Sequence, residues 1–269
     1  MAVDVTRADT PLLLSFPHTG TVLPPQLVSR LTPVGRSLID TDWDVDLLYA
    51  AAGELGVTTL RPTYSRYVVD LNRDPNDKPL YPGARTSSVC PTETFAGEAL
   101  YAPGDAPDRD EIAMRIATYW QPYHDALSAQ IKRIRARHGY VILLDGHSIW
   151  GRLPLLFDGD LPDVNLGTNG GTSCAPSLTP AVSGALQPAY PSLVVDARFK
   201  GGFITRNYGT PARNVHAIQI ELNQRTYLAE GSRTKHDPVK IARLSAALRD
   251  VCAALLAWEP STRGPVAVS

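Results

Sequence analysis

Two histidines in this chain follow apolar runs that read as buried strands. His18 comes after "LLLSF" (residues 12–16), and His147 sits in "VILLDGHSIW" (residues 141–150), directly behind Asp145 and Gly146. A histidine just past a buried strand is held rigidly while its ring faces a cavity. Two such imidazoles and a carboxylate make the donor set that binds zinc with one position open. Each histidine taken alone also fits an ordinary, satisfied loop histidine. The segment "DTDWDVD" (residues 40–46) adds four carboxylates at alternate positions, Asp40, Asp42, Asp44 and Asp46. A helix N-terminus attracts acids and accounts for two of them. Four is a surplus that a cation would relieve, and the spacing does not choose among them.

A second group of residues suits anions. "SRYVVDLNRDP" (residues 65–75) holds Arg66, Asn72 and Arg73 on or beside one expected strand. Guanidinium forks take carboxylates in bidentate fashion and an asparagine amide adds a neutral donor. Arg73 also fits a structural ion pair with Asp70 or Asp74. "RFKGGFITRNYG" (residues 198–209) is a further cationic stretch, with Gly201 and Gly202 permitting a tight turn. It reads either as a loop closing on an anionic substrate or as a plain solvated hairpin. Ser15, Ser65 and Ser148 are possible nucleophiles, but no GxSxG elbow surrounds any serine, which disfavours a serine hydrolase.

The elements that must position these groups follow from periodicity. Residues 12–16, "VTTL" (57–60), "YSRYVVDL" (64–71), 140–144 and "HAIQIEL" (216–222) read as strands, the last with Ile218, Ile220 and Leu222 alternating against Gln219 and Glu221. Helices are expected over 35–56, with Gly56 at the C-cap, over 110–137 with Pro122 as the one break, over 178–186, and over 237–258 with Asp237 as N-cap and Pro238 at the first position. Residues 72–83 and 158–171 read as loops. Strands and helices alternate throughout, which argues for a sheet flanked by helices and one domain over residues 1–269. In open α/β sheets the ligand crevice lies at the carboxyl ends of the strands. His18, the "DGHS" of 145–148 and the "NRD" of 72–74 all stand at such ends, and Glu221 lies within a late strand.

Composition narrows the setting. At 43% hydrophobic and 20% charged, the 269 residues are ordinary for a globular protein. A net charge of −1 offers no field for nucleic acid or an anionic membrane, so any bound anion must be caught by local arginines. Three cysteines, Cys90, Cys174 and Cys252, are too few for a disulfide framework, and none stands in a CxxC pair. With no basic leader and no long apolar run, the expected compartment is a reducing cytoplasm.

Taken in order, "SFPHTG", "DTDW", "SRYVVDLNRDP", "CPTETFAGEALY", "LLDGHSIWGRLP", "RFKGGFITRNYG" and "AIQIELNQRTYL" resemble the N-formylglutamate amidohydrolase (deformylase) family, over residues 14–227. The family is similar in fold to zinc carboxypeptidases and to the aspartoacylase group. The resemblance implies a mixed sheet with helices on both faces and one catalytic zinc; iron or cobalt also suits the donor set. It places His18 and His147 on the metal. The residue three beyond His18 is Thr21, where the aspartoacylase group has a glutamate, so the carboxylate ligand must come from elsewhere, expected at Asp42 with Asp44 and Asp46 as fallbacks. By the same resemblance, Asn72 and Arg73 clamp a substrate carboxylate and Arg66 stabilises an oxyanion. Glu221 is the general base, Arg206 a second carboxylate contact, and Asp145 the partner that orients His147. The implied reaction is hydrolysis of N-formyl-L-glutamate to formate and glutamate, in histidine degradation, the substrate being a small acidic N-acyl amino acid.

Three rivals stand beside that expectation: a zinc deacylase for another N-acyl acidic amino acid, a zinc carboxypeptidase, and a metal-free protein that binds an acidic amino acid with the same arginines.

Overall fold

The computed structural model describes residues 2–80 and 86–260. The end of the loop expected over 72–83 therefore lies outside the described residues. In chain order the elements are β1 (Val3–Thr6), β2 (Leu12–Ser15), α1 (Pro25–Val28), α2 (Pro33–Arg36), α3 (Val45–Leu48) with a 3-10 turn behind it (Ala50–Leu55), and β3 (Thr58–Pro62). Then come α4 (Arg109–Arg115), a π turn (Ile116–Trp120), α5 (Gln121–His138), β4 (Val141–Ile149), β5 (Val164–Gly167), α6 (Leu178–Leu186), β6 (Val194–Val195), α7 (Phe203–Tyr208), β7 (Val215–Asn223) and α8 (Pro238–Leu256).

The strands form one mixed sheet in the order β1-β3-β2-β4-β7-β5-β6. Neighbours from β3 to β7 run parallel, while β1 is antiparallel to β3 and β5 antiparallel to β7. The two central strands, β4 and β7, pair over nine residues each and are buried along their whole length. Side chains alternate between the two faces of a strand, and here both faces are covered. Leu12, Leu14, Ile142, Leu144, Ile218 and Ile220 pack with α6 and α8; Leu13, Val141, Leu143 and Ala217 pack with Tyr123, Leu127, Ile131 and Ile134 of α5. Along the α5 side the apolar series then turns polar. Leu143 is followed on that face by Asp145 and His147, and Ala217 by Gln219 and Glu221.

Several expected elements are present as read. The helix over 178–186 has those bounds, and in α8 the Asp237 carboxylate accepts the backbone N–H of Val239 and Lys240, with Pro238 in the first turn. Gly56 ends the 3-10 turn in the left-handed region at φ 68°. The break expected at Pro122 is realised as the π turn just before α5.

Five expectations are corrected. Residues 158–171 are not loop throughout, because β5 (Val164–Gly167) lies within them and pairs antiparallel with β7. Residues 35–56 are not one helix: Leu38 (φ 54°) and Asp44 (φ 55°) are left-handed, and Asp42 N donates to His18 O at 3.2 Å instead of to the carbonyl four residues back. Residues 64–71 are a buried loop rather than a strand, because Tyr67 and Val68 serve one core while Val69 and Leu71 serve another. Several carbonyls in and just beyond this loop are satisfied by side chains in place of a sheet partner. Val68 O accepts from Arg115 Nη1 (3.2 Å), Leu71 O from His124 Nε2 (2.9 Å) and Arg73 O from Trp120 Nε1 (3.1 Å). The strand expected over 140–144 runs on to Ile149, so His147 lies within it and not beyond its end. Residues 203–208 form a helix where a loop or hairpin was expected.

Candidate metal centre and active site

The ligand atoms come from three places at one end of the sheet. His18 lies three residues past β2, Asp42 lies in the irregular segment before α3, and His147 lies in β4. Gly146 permits the approach of the first segment, since a Cβ there would meet the Phe16 ring at 2.9 Å. All three ligating residues are buried, at 4%, 1% and 2% exposed. His18 Nδ1 and His147 Nδ1 stand 3.1 Å apart, and Asp42 Oδ2 is 3.5 Å from the first and 3.0 Å from the second. A tetrahedral zinc with bonds of about 2.0–2.1 Å sets its ligand atoms about 3.3–3.4 Å apart. The three donors fit that spacing.

The far side of each ring is already committed. His18 Nε2 donates to Asp70 Oδ1 at 2.8 Å and His147 Nε2 to Asp145 Oδ2 at 2.9 Å. With the ring proton of each held there, both Nδ1 atoms present lone pairs to the same point as Asp42 Oδ2. Three converging acceptors repel unless positive charge lies between them, and the outward carboxylates are the partners that metal-bound histidines use. The same demand shows in His147. Burial alone would lower its pKa, but Asp145 and Asp42 hold its charged form well above the usual imidazole range.

The other acids of residues 40–46 are used elsewhere. Asp40 Oδ2 accepts from Tyr67 OH at 2.8 Å and Phe95 N at 2.9 Å, Asp44 faces His236 at 2.9 Å, and Asp46 pairs with Arg61 at 2.9 Å. Asp42 is thus the one of the four that reaches the histidines. Ser148 N donates to its Oδ2 at 3.2 Å, fixing the carboxylate to β4.

Around this centre a pocket is lined by His18, Asp42, Arg66, Asn72, Arg73, Ser87, His147, Arg198, Phe199, Gln219 and Glu221, among others. Glu221 pairs in register with His147 across β4 and β7, so the two share a face. Burial pushes its carboxyl up to about 8, with the His147 charge pulling the other way. Arg66 lies over the Phe95 ring at 4.7 Å and donates to Asp70 Oδ2 at 2.6 Å. Asp70 therefore ties Arg66 and His18 together. Arg73 is anchored on the carbonyls of Ser87 (3.2 Å) and Asn72 (3.0 Å), and Asn72 Nδ2 sits 3.0 Å from His147 Nε2.

Arg206 is not brought in. Its Nε donates to Gly201 O at 2.8 Å, and the side chain lines a neighbouring pocket with Asp74, Lys78 and Asn207. As part of helix α7 it turns away from the centre, and the arginine of that stretch that reaches the pocket is Arg198, whose Nε donates to Leu156 O at 2.7 Å. Sequence reasoning also passed over Asp70, four residues from Arg66, and Gln219, which shares a strand face with Glu221 in the 216–222 alternation.

The N-formylglutamate amidohydrolase family model matches residues 10–228. The chain is 45% identical over 253 residues to an N-formylglutamate deformylase of Pseudomonas aeruginosa, covering 94% of this chain and 95% of the relative. It is 43% identical over 249 residues to one of Pseudomonas putida, covering 92% and 93%. The crystal structure of an N-formylglutamate amidohydrolase from Ralstonia eutropha JMP134 superposes with a TM-score of 0.81 at 26% identity, over 95% of this chain and 97% of that one.

Proposed function

The chain belongs to the N-formylglutamate amidohydrolase family, and from that premise we propose that it hydrolyses N-formyl-L-glutamate to formate and glutamate with zinc as its metal. The observation that carries the reading is the meeting, in one buried pocket, of the His18–Asp42–His147 donors with Glu221 and with arginines on more than one side.

His18, Asp42 and His147 are the residues that would hold the ion. When bound, it supplies Lewis acidity toward the formyl oxygen and makes a neighbouring water more acidic. Glu221 takes a proton from the attacking water and delivers it to the leaving nitrogen as the C–N bond breaks. A cation at the three donors would lower the carboxyl of Glu221 from the level that burial sets, which suits a group that both accepts and returns a proton. Arg66, held by Asp70, presents its guanidinium to the negative charge that develops on the formyl oxygen.

N-formylglutamate has two carboxylates, and the pocket has two further arginines to meet them. Arg73 approaches from the 65–75 loop beside Asn72 and Ser87, and Arg198 from the segment before α7. Among the described residues, the buried Ser87 Oγ has no hydrogen-bond partner, and it is a hydroxyl suited to a carboxylate at the Arg73 end. A fork on each carboxylate fixes the substrate at both ends of its carbon chain and leaves the formamide on Cα to face the donors.

The test is turnover of N-formyl-, N-acetyl- and N-succinyl-L-glutamate side by side. Formate release with the highest kcat/KM is the expected result, and a preference for either longer acyl group would move the substrate to that class.

A further inference from the structure

Gln219 makes hydrogen bonds in two directions. Its Oε1 accepts the backbone N–H of Gly202 at 2.7 Å, and its Nε2 donates to Glu221 Oε2 at 3.1 Å. The orientation of the amide follows from the partners: a backbone N–H only donates, so the carbonyl oxygen must face Gly202 and the NH2 group must face the carboxylate. Residues two apart on a strand share a face, and both side chains are buried, at 4% and 7% exposed.

The terminal torsion of a glutamate is soft, so burial alone does not fix the direction in which its oxygens point. A single donor on Oε2 does, and it leaves Oε1 as the oxygen that meets a proton. The other end of the amide is equally constrained. Gly201 has φ 105°, and a Cβ at Gly202 would meet Asn72 Nδ2 at 2.3 Å. Ile204 N donates to Asn72 Oδ1 at 2.8 Å. The turn is therefore pinned by Gln219 on the Glu221 side and by Asn72 on the His147 side.

We propose that Gln219 is a positioning residue that holds the Glu221 carboxylate in its working rotamer and ties it to the Gly201–Gly202 turn, close behind Arg198. The proposal rests on the reading of Glu221 as the base. It makes seating of the substrate carboxylate at Arg198 and alignment of the base parts of one connected unit.

Gln219→Met keeps the length and volume of the side chain and removes both hydrogen bonds; Gln219→Leu removes both with a shorter apolar side chain. In metal-loaded protein, each variant is expected to lose at least about tenfold in kcat on N-formyl-L-glutamate. KM should stay within about threefold, and metal content and thermal midpoint near wild type. A crystal structure of Gln219→Met should show Glu221 rotated or in several rotamers on an unmoved β7. Glu221 in its original single rotamer, or kcat within twofold of wild type in either folded variant, would overturn the proposal. If wild type itself releases no formate, the functional reading fails, and the crystallographic comparison still decides whether Gln219 holds Glu221.

Discussion

His18 Nδ1 and His147 Nδ1 face each other at 3.1 Å while the opposite nitrogen of each ring is held by its own carboxylate, Asp70 for the first and Asp145 for the second. Neither ring can turn its proton toward the other without losing a buried, charge-assisted hydrogen bond. The arrangement makes sense when a cation takes the remaining lone pairs.

The acids of residues 40–46 should separate cleanly. Asp42→Asn removes the only one that reaches the histidines and should abolish stoichiometric zinc binding, whereas Asp44→Asn and Asp46→Asn should bind one zinc per chain. Metal analysis after dialysis reads this directly. Retention of zinc by Asp42→Asn would remove it from the centre.

The carboxylates behind the histidines should tune affinity without supplying a ligand. Asp145→Asn is expected to weaken zinc binding roughly 10–100-fold. Competition with a chromophoric chelator measures this, and unchanged affinity would mean that the ring orientation is fixed by packing alone.

Glu221→Gln should retain the metal and lose kcat by roughly 10²–10⁴-fold. A folded, zinc-loaded Glu221→Gln enzyme with near-normal kcat would pass the proton transfer to another group.

Arg198 and Arg206 give opposite expectations. Losing one charged hydrogen-bonding partner at about 1.5–3 kcal/mol should lower kcat/KM of Arg198→Ala by about 10- to 100-fold. Arg206→Ala, in the neighbouring pocket, should stay within about threefold. Steady-state kinetics on N-formyl-L-glutamate decide between them.

How far this was legible from residues alone differs between the parts. His18, His147 and Glu221 could be picked out because short apolar runs and the 216–222 alternation locate strand residues, and sheet order then gathers them. Spacing left the four acids of 40–46 equivalent, because the choice of Asp42 depends on left-handed residues at 38 and 44 and on a bond from Asp42 N to His18 O. The β-branched and aromatic residues of 64–71 looked like a strand, since residue type records a preference for burial and not which core takes each side chain. Arg206 was expected as a carboxylate contact from the resemblance of its motif, yet a helix begins at Phe203 and turns Arg206 aside. Gln219 carried no signal by residue type; its place beside Glu221 matters only once Gly202 comes within reach.

The buried His124 yields a pH prediction. Its Nε2 donates to Leu71 O at 2.9 Å beneath the Asn72–Arg73 loop, and burial lowers its pKa from 6.5 to about 4. Between those values the unfolded chain binds a proton that the folded chain refuses, so stability rises with pH there and is lost as pH falls from about 6.5 toward 4. In chelator-treated protein, His124→Gln should lose less stability over that window, by up to about 3 kcal/mol. Urea unfolding of both proteins at pH 7 and pH 4.5 reads the difference, and equal losses would show that His124 is not the group responsible.

The most direct test of the central claim is zinc content measured together with formate release from N-formyl-L-glutamate, before and after chelation. The account predicts about one zinc per chain, release abolished by the chelator, and release restored by added zinc. Formate release that persists in metal-free protein would contradict it.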